Sequence, residues 1–325
     1  MEKLYSSRDF LPWVEKYRPK TIDEIISHHQ NIETIKKLLI GGSLPHLLFH
    51  GSPGTGKTST IMALAKEIYG NNVRLMVMKL DASDDRGINS VREDIKGFAE
   101  KSNMFKKGVR LIILDEADSM TFDAQFALRR IIEKYSETIR FCLICNYENK
   151  IIPAIRSRCA NFRFSNIDCK HITLKLKHIA TSEKLQYESN VIETIGILAK
   201  GDLRKAINLL QSISMQSNLI TNELCYDTAG IPTNVEIKTI LSILIDTSHD
   251  FNSAYTVVSS ILKTQGYSLS IVLKELVLEL LKNEQLLKQI PQILSDLSDL
   301  ENQVTKSTFG DIYITSLIGI FKKLK

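Results

Sequence analysis

Between about residues 45 and 165, short apolar runs alternate with stretches whose apolar residues recur three and four positions apart. The runs are 47–50, 75–80, 111–114, 139–145 and 162–164. Runs this short and this continuously apolar suit strands covered on both faces, as in a parallel sheet. The intervening stretches 58–69, 89–101 and 123–135 have the period of amphipathic helices. The pattern predicts one α/β domain, a parallel sheet with flanking helices. Beyond Asn166 the strand pattern fades, and helical periodicity continues through 169–185, 190–200 and 202–213. The segment Gly230-Ile231-Pro232-Thr233-Asn234 breaks one helical run before another begins, and 235–325 is again helical in period. Three domains are therefore expected, at 1–165, 166–230 and 231–325: α/β, small helical and all-α. Residues 268–281 are apolar around more than half of a helix. That suits the core of a bundle, or a bundle that also packs on neighbouring chains.

At 325 residues the chain is long enough for two or three cores, and 43% hydrophobic with 24% charged residues is an ordinary globular balance. The net charge of +5 is compatible with nucleic acid without requiring it. Five cysteines with no secretory context favour a reducing compartment. Cys142 and Cys145 have the CxxC spacing of a metal or redox pair, but three residues apart on a strand they point to opposite faces, which favours packing. No run of 18 apolar residues and no signal-like start occurs, so no membrane association is expected.

Chemistry concentrates in the α/β region. Gly51-Ser52-Pro53-Gly54-Thr55-Gly56-Lys57-Thr58 fits the GxxxxGK[ST] phosphate loop and lies between a predicted strand and a predicted helix, where the motif has physical meaning. Glycines let successive amides aim at phosphate oxygens, and the helix start adds the positive end of its dipole. Lys57 would reach the β- and γ-phosphates and Thr58 would hold magnesium. The predicted strand 111–114 runs into Asp115-Glu116-Ala117-Asp118. Asp115 at the carboxyl edge of the sheet would hold the metal directly or through water, and Glu116 would polarise the attacking water. ATP with Mg2+ is thus the expected ligand. Asn146 ends the next strand, where it either faces the γ-phosphate or simply caps the strand.

Trp13-Val14-Glu15-Lys16-Tyr17-Arg18-Pro19, Pro45-His46-Leu47-Leu48-Phe49, the phosphate loop, Ala82-Ser83-Asp84-Asp85-Arg86-Gly87-Ile88, the Asp-Glu-Ala-Asp run, Ala127-Leu128-Arg129-Arg130 and Ser157-Arg158-Cys159 follow one another over about residues 10–165. In order and spacing the chain resembles the small subunits of replication factor C, clamp loaders of the AAA+ family. Within them the third-subunit type of fungi is the most similar, on Ile152-Pro153-Ala154-Ile155-Arg156-Ser157-Arg158-Cys159 and Phe162-Arg163-Phe164. Ser52 departs from the family, which usually has a second proline there; backbone amides do most of the phosphate binding, so the site should tolerate it.

The resemblance implies a heteropentameric spiral with other replication factor C subunits and ATP hydrolysed between neighbours. It also implies a lid at 166–230, a collar at 231–325 and a nuclear location. It places Val14, Tyr17, Arg18 and Pro19 by the adenine and ribose, and makes Asn146 the first sensor and Arg204 the second. Arg204 could otherwise make a surface ion pair. Arg158 would act in trans on a neighbour's γ-phosphate, or else only stabilise its own turn. The partners implied are the sliding clamp PCNA and primer–template DNA, held by its backbone. Arg86 is the candidate phosphate contact, with an internal ion pair to Asp84 or Asp85 as the other reading. Ile95, Phe98, Met104 and Phe105 are candidates for clamp contact, with core packing as the competing role. A scaffold subunit that binds nucleotide with little turnover is the alternative function, against which the intact Lys57, Thr58, Asp115 and Glu116 argue.

Overall fold

The computed structural model describes residues 11–40, 44–82, 87–100, 109–246, 250–282, 289–306 and 310–323. Two compact units are present. The first comprises residues up to Leu185 together with Ile192–Gln211, the second Gln186–Val191 with Ser212–Lys325.

In the first unit the chain runs α1 (Trp13–Lys16), α2 (His29–Ile40), β1 (His46–Gly51), α3 (Lys57–Tyr69), α4 (Val73–Met76), β2 (Val77–Asp81), α5 (Gly87–Glu100), β3 (Arg110–Asp115), α6 (Phe122–Tyr135), β4 (Ile139–Cys145), α7 (Pro153–Arg156), β5 (Cys159–Phe164) and α8 (Cys169–Ser182). Strands β1 to β5 form one sheet in the order β2-β3-β4-β1-β5, parallel throughout. The central strands are apolar on both faces because helices cover both sides. Leu47, Phe49, Leu111, Ile113 and Cys142 join one core, and Leu48, Ile112, Leu114, Phe141 and Cys145 the other. Cys142 and Cys145 therefore sit on opposite faces, both buried, and burial pushes the Cys145 thiol up to about 12. They are packing residues.

Two strands start elsewhere than the sequence pattern suggests. Leu75 is exposed in α4 rather than paired in a strand, so β2 begins only at Val77. At the sheet edge β5 starts at Cys159, three residues before its predicted start. It alternates exposed and buried positions, as an edge strand with one covered face does. Helix α2 was not expected.

Further along come β6 (Gln186–Tyr187), α9 (Val191–Leu198), α10 (Leu203–Gln216), β7 (Leu219–Ile220) and α11 (Asn222–Ala229). Strands β6 and β7 pair in parallel, a short ladder where only helices were expected. The second unit continues with α12 (Asn234–Ile245), α13 (Phe251–Gln265), α14 (Leu269–Leu280), α15 (Ile290–Lys306) and α16 (Gly310–Lys322). Helix α12 starts on a capping box in which Thr233 and Glu236 satisfy each other's backbone donors. Leu244, Val258, Val272, Leu276, Leu317 and Ile318 form part of the continuous core of this bundle. Among the described residues no helix is long and apolar enough to cross a membrane.

Candidate functional site

Because β4 lies between β3 and β1, the carboxyl ends of all three open on one crevice in the first unit. The loop from Gly51 to Gly56 leaves β1 with left-handed backbone at Gly54 (φ 70) and Gly56 (φ 94), and α3 starts directly at Lys57. Lys57 is only 7% exposed, and its ammonium donates to three oxygens: the Gly51 carbonyl at 2.6 Å, the Ser52 carbonyl at 2.9 Å and Asn146 Oδ1 at 3.0 Å. Burial lowers its pKa, while the charges of Asp115 and Asp118 act the other way. At the next residue, Thr58 Oγ1 donates to Asp115 Oδ2 at 3.2 Å, so a hydroxyl and a carboxylate meet at the first turn of α3. Lys79 of β2 also reaches that carboxylate, at 3.0 Å. Hard oxygen donors of this kind are what Mg2+ takes when substrate phosphates complete its shell, so the donor set fits the metal.

Glu116 follows Asp115 in left-handed backbone (φ 54) and is exposed at the crevice. Non-glycine residues are uncommon there, and such strain collects at functional positions. The next residues form a short 3-10 turn, Ala117–Ser119, tied back by Ser119 to the Glu116 carbonyl. The turn carries Asp118 across to β4, where its Oδ2 accepts the N–H groups of Asn146 and Tyr147, each at 3.2 Å.

The opposite wall is built by α1 and the residues after it. Val14, Tyr17, Arg18 and Pro19 all line the crevice. Tyr17 Oη donates to Glu183 Oε1 at 2.5 Å and Lys16 reaches the same oxygen at 2.7 Å. Burial, then the hydrogen bond and charge of Glu183, push the Tyr17 hydroxyl up to about 12. Arg204, in the first turn of α10, lines the crevice too and lies close enough to Lys57 to oppose its charge. The start of α10 docks on the phosphate loop: Leu203 N–H donates to the Gly54 carbonyl at 3.3 Å, and Asp202 caps the helix through Lys205 N–H at 3.0 Å.

Two sets of residues stand outside this crevice. Arg158 pairs with Glu133 at 2.6 Å and donates to the Ala154 carbonyl at 2.6 Å, away from its own chain's Lys57. Ile95 is fully buried in the core between α5 and the sheet, which corrects its place among the clamp candidates in favour of the packing role. Phe98 is half-buried and lies 4.7 Å beneath the Arg110 guanidinium. Arg86, Met104 and Phe105 lie outside the described residues.

The motifs pointed to most of these residues, but they named Asp118 without a role and did not reach Glu183 or Gln125. Gln125 is 1% exposed on α6; it donates to the Met120 and Lys150 carbonyls and accepts from Ile152 N–H, so it holds the loop after β4 in place. A polar residue on the buried side of a helix pattern is the one sequence signal it gave.

Three family models match in succession: the ATPase family associated with various cellular activities over residues 47–166, the RCF1/5-like AAA+ ATPase lid domain over 174–215 and the replication factor C C-terminal domain over 232–319. The chain is 46% identical to the probable replication factor C subunit 5 of Dictyostelium discoideum, over 96% of this chain and 90% of that one. The chain belongs to the replication factor C family. Human replication factor C subunit 5 is 42% identical over 96% of this chain and 92% of its own, and replication factor C subunit 3 of Saccharomyces cerevisiae is 40% identical over 97% and 94%. The chain is thus a small clamp-loader subunit carrying an AAA ATPase domain, of the type of subunits 3 and 5. Among solved structures, the Thermotoga maritima RuvB Holliday junction branch migration motor shares the fold at a TM-score of 0.52 and 19% identity, covering 81% of this chain and 91% of that one.

Proposed function

We propose that this replication factor C subunit binds ATP with Mg2+ in the crevice and hydrolyses it at a junction with the next subunit of a heteropentamer, so as to load the sliding clamp PCNA onto primer–template DNA in the nucleus. The observation that carries this reading is the meeting of Lys57, Thr58, Asp115, Asn146 and Arg204 on one crevice while Arg158 lies outside it. The backbone amides of Gly51 to Thr58 cradle phosphate, and Lys57 exchanges its loop carbonyls for phosphate oxygens. Thr58 and Asp115 hold the metal, which when bound neutralises charge on the phosphates. Glu116 orients the attacking water, and Asn146 and Arg204 fix the γ-phosphate from two sides. Val14, Tyr17, Arg18 and Pro19 form the adenine and ribose wall. Residues 1–165 serve as the ATPase domain, 166–230 as the lid and 231–325 as the collar for assembly. Arg86 touches the DNA backbone, and Phe98, Met104 and Phe105 supply the clamp contact.

The test is Glu116→Gln in a reconstituted pentamer whose other sites are disabled. ATP binding is expected at wild-type affinity with hydrolysis stalled, because only water activation is lost. Normal turnover in that complex removes Glu116 from the mechanism.

A further inference from the structure

The ladder of the sheet ends at β4 with Cys145, whose register partner on β1 is His50, so the N–H groups that follow have no strand to pair with. Asn146 and Tyr147 are both exposed, so water is free to meet these donors, yet the protein supplies its own acceptor. Both are met by one atom, Oδ2 of Asp118, at 3.2 Å from Asn146 N and 3.2 Å from Tyr147 N. Asp118 lies two residues beyond Glu116, on the 3-10 turn whose start is the left-handed Glu116. The same Asn146 that this carboxylate fixes through its backbone accepts from Lys57 through its side chain, at 3.0 Å.

We infer that Asp118 is a positioning residue for ATP hydrolysis: it locks Asn146 to the turn that carries Glu116, so that the water-activating acid and the γ-phosphate contact keep one geometry. The inference deepens the proposed reaction and rests on the role given there to Asn146. A carboxylate accepting two successive amides makes charge-assisted bonds, about twice as strong as neutral ones, which suits it to hold a loop that must not drift. Placement errors of an ångström at such a site cost on the order of a hundred-fold in rate.

The experiment measures ATP affinity and single-turnover hydrolysis in the reconstituted pentamer with only this subunit's site competent, for Asp118→Ala, Asp118→Asn, Asn146→Ala and the Asp118→Ala/Asn146→Ala double variant. Asp118→Ala is expected to bind ATP within about three-fold of wild type and to hydrolyse it roughly ten- to a hundred-fold more slowly, the loss usual when a supporting hydrogen-bond partner is removed. Asp118→Asn keeps a carbonyl acceptor and is expected to recover most of the rate. The double variant should be no slower than Asn146→Ala alone, since the two residues act as one unit. A wild-type rate in Asp118→Ala beside an impaired Asn146→Ala overturns this inference alone. So does an Asp118→Asn as slow as Asp118→Ala, which would make charge and not placement the cause, or a double variant whose losses multiply. A wild-type rate in Asn146→Ala overturns both this inference and the role of Asn146 in the proposed reaction. Thermal melting of each variant separates these outcomes from unfolding: a variant that melts early and binds ATP weakly has a structural defect, and for Asp118→Ala that result also counts against positioning.

Discussion

Lys57 Nζ and Asn146 Oδ1 lie 3.0 Å apart, joining the phosphate loop after β1 to the tip of β4. The ammonium is desolvated, with its remaining protons on the carbonyls of Gly51 and Ser52, so it is aimed and its rotamer is fixed before any phosphate arrives. Lys57→Ala removes a charged hydrogen bond to phosphate worth roughly 1.5–3 kcal/mol, or about ten- to a hundred-fold in affinity. Titration of ATP against the folded variant checks it, and wild-type affinity would refute the assignment of the loop.

A second prediction concerns the junction of that loop with α10. Gly54 has φ +70, and a Cβ built on it would lie 1.7 Å from Asp202 Oδ1. Gly54→Ala therefore carries two separate penalties: about 1–2 kcal/mol for a left-handed alanine, and displacement of the carboxylate that caps α10. The variant should melt earlier and bind ATP more weakly. In an Asp202→Ala background, where the cap is already lost, Gly54→Ala should cost only the backbone part. An equal cost of Gly54→Ala with and without Asp202, in melting and in ATP binding, would show that the two residues do not compete for this space.

Much of this arrangement was legible in the sequence, for reasons that also explain what was not. Strands β1, β3 and β4 are apolar on both faces because the sheet is central and parallel, so each stands out as an unbroken run. At the edge, β5 buries only alternate residues and its first half carries no such run. The run at 75–80 misled because a helical turn occupies its first two residues, and periodicity cannot separate a short apolar helix from a strand. Lys57, Thr58, Asp115 and Glu116 are fixed by local motif geometry. Asp118, Gln125 and Glu183 act through partners 28, 25 and 166 residues away, a relation that only the folded sheet creates.

The pH dependence of stability should report on His46. Its Nδ1 accepts Phe141 N–H at 3.2 Å, and burial, then the nearby Arg140 charge, lower its pKa from 6.5 to about 4. The folded pKa lies below the unfolded one, so between about pH 6.5 and 4 the unfolded chain binds the extra proton. Stability from this group is complete above about 6.5 and declines as pH falls towards 4, by on the order of 2 kcal/mol after allowing for partial exposure. Urea unfolding at pH 7 and pH 5 should show that loss. In His46→Asn, which keeps an acceptor but cannot take up a proton, the loss should shrink; an identical pH dependence in the two proteins would discount His46.

The last prediction turns on where Arg158 is held. Just before β5, its guanidinium is braced by Glu133 of α6 and by the Ala154 carbonyl of α7, and it takes no part in lining the crevice of its own chain. A head-to-tail ring pairs two different patches of the same kind of chain, and in the junction proposed above this edge is the patch set against the neighbour's nucleotide. A preset arginine there would neutralise charge growing on the transferred phosphoryl group, an effect worth on the order of 10³–10⁵ in rate for arginine fingers. Arg158→Ala should then leave ATP affinity at this chain's own Lys57 nearly unchanged and suppress hydrolysis at the neighbour's site. The measurement is single-turnover hydrolysis in a complex where only the neighbour's site is competent, with and without the substitution. If the arginine merely braces the turn between α7 and β5, the variant melts earlier but the two complexes turn over equally, and the role in trans is excluded.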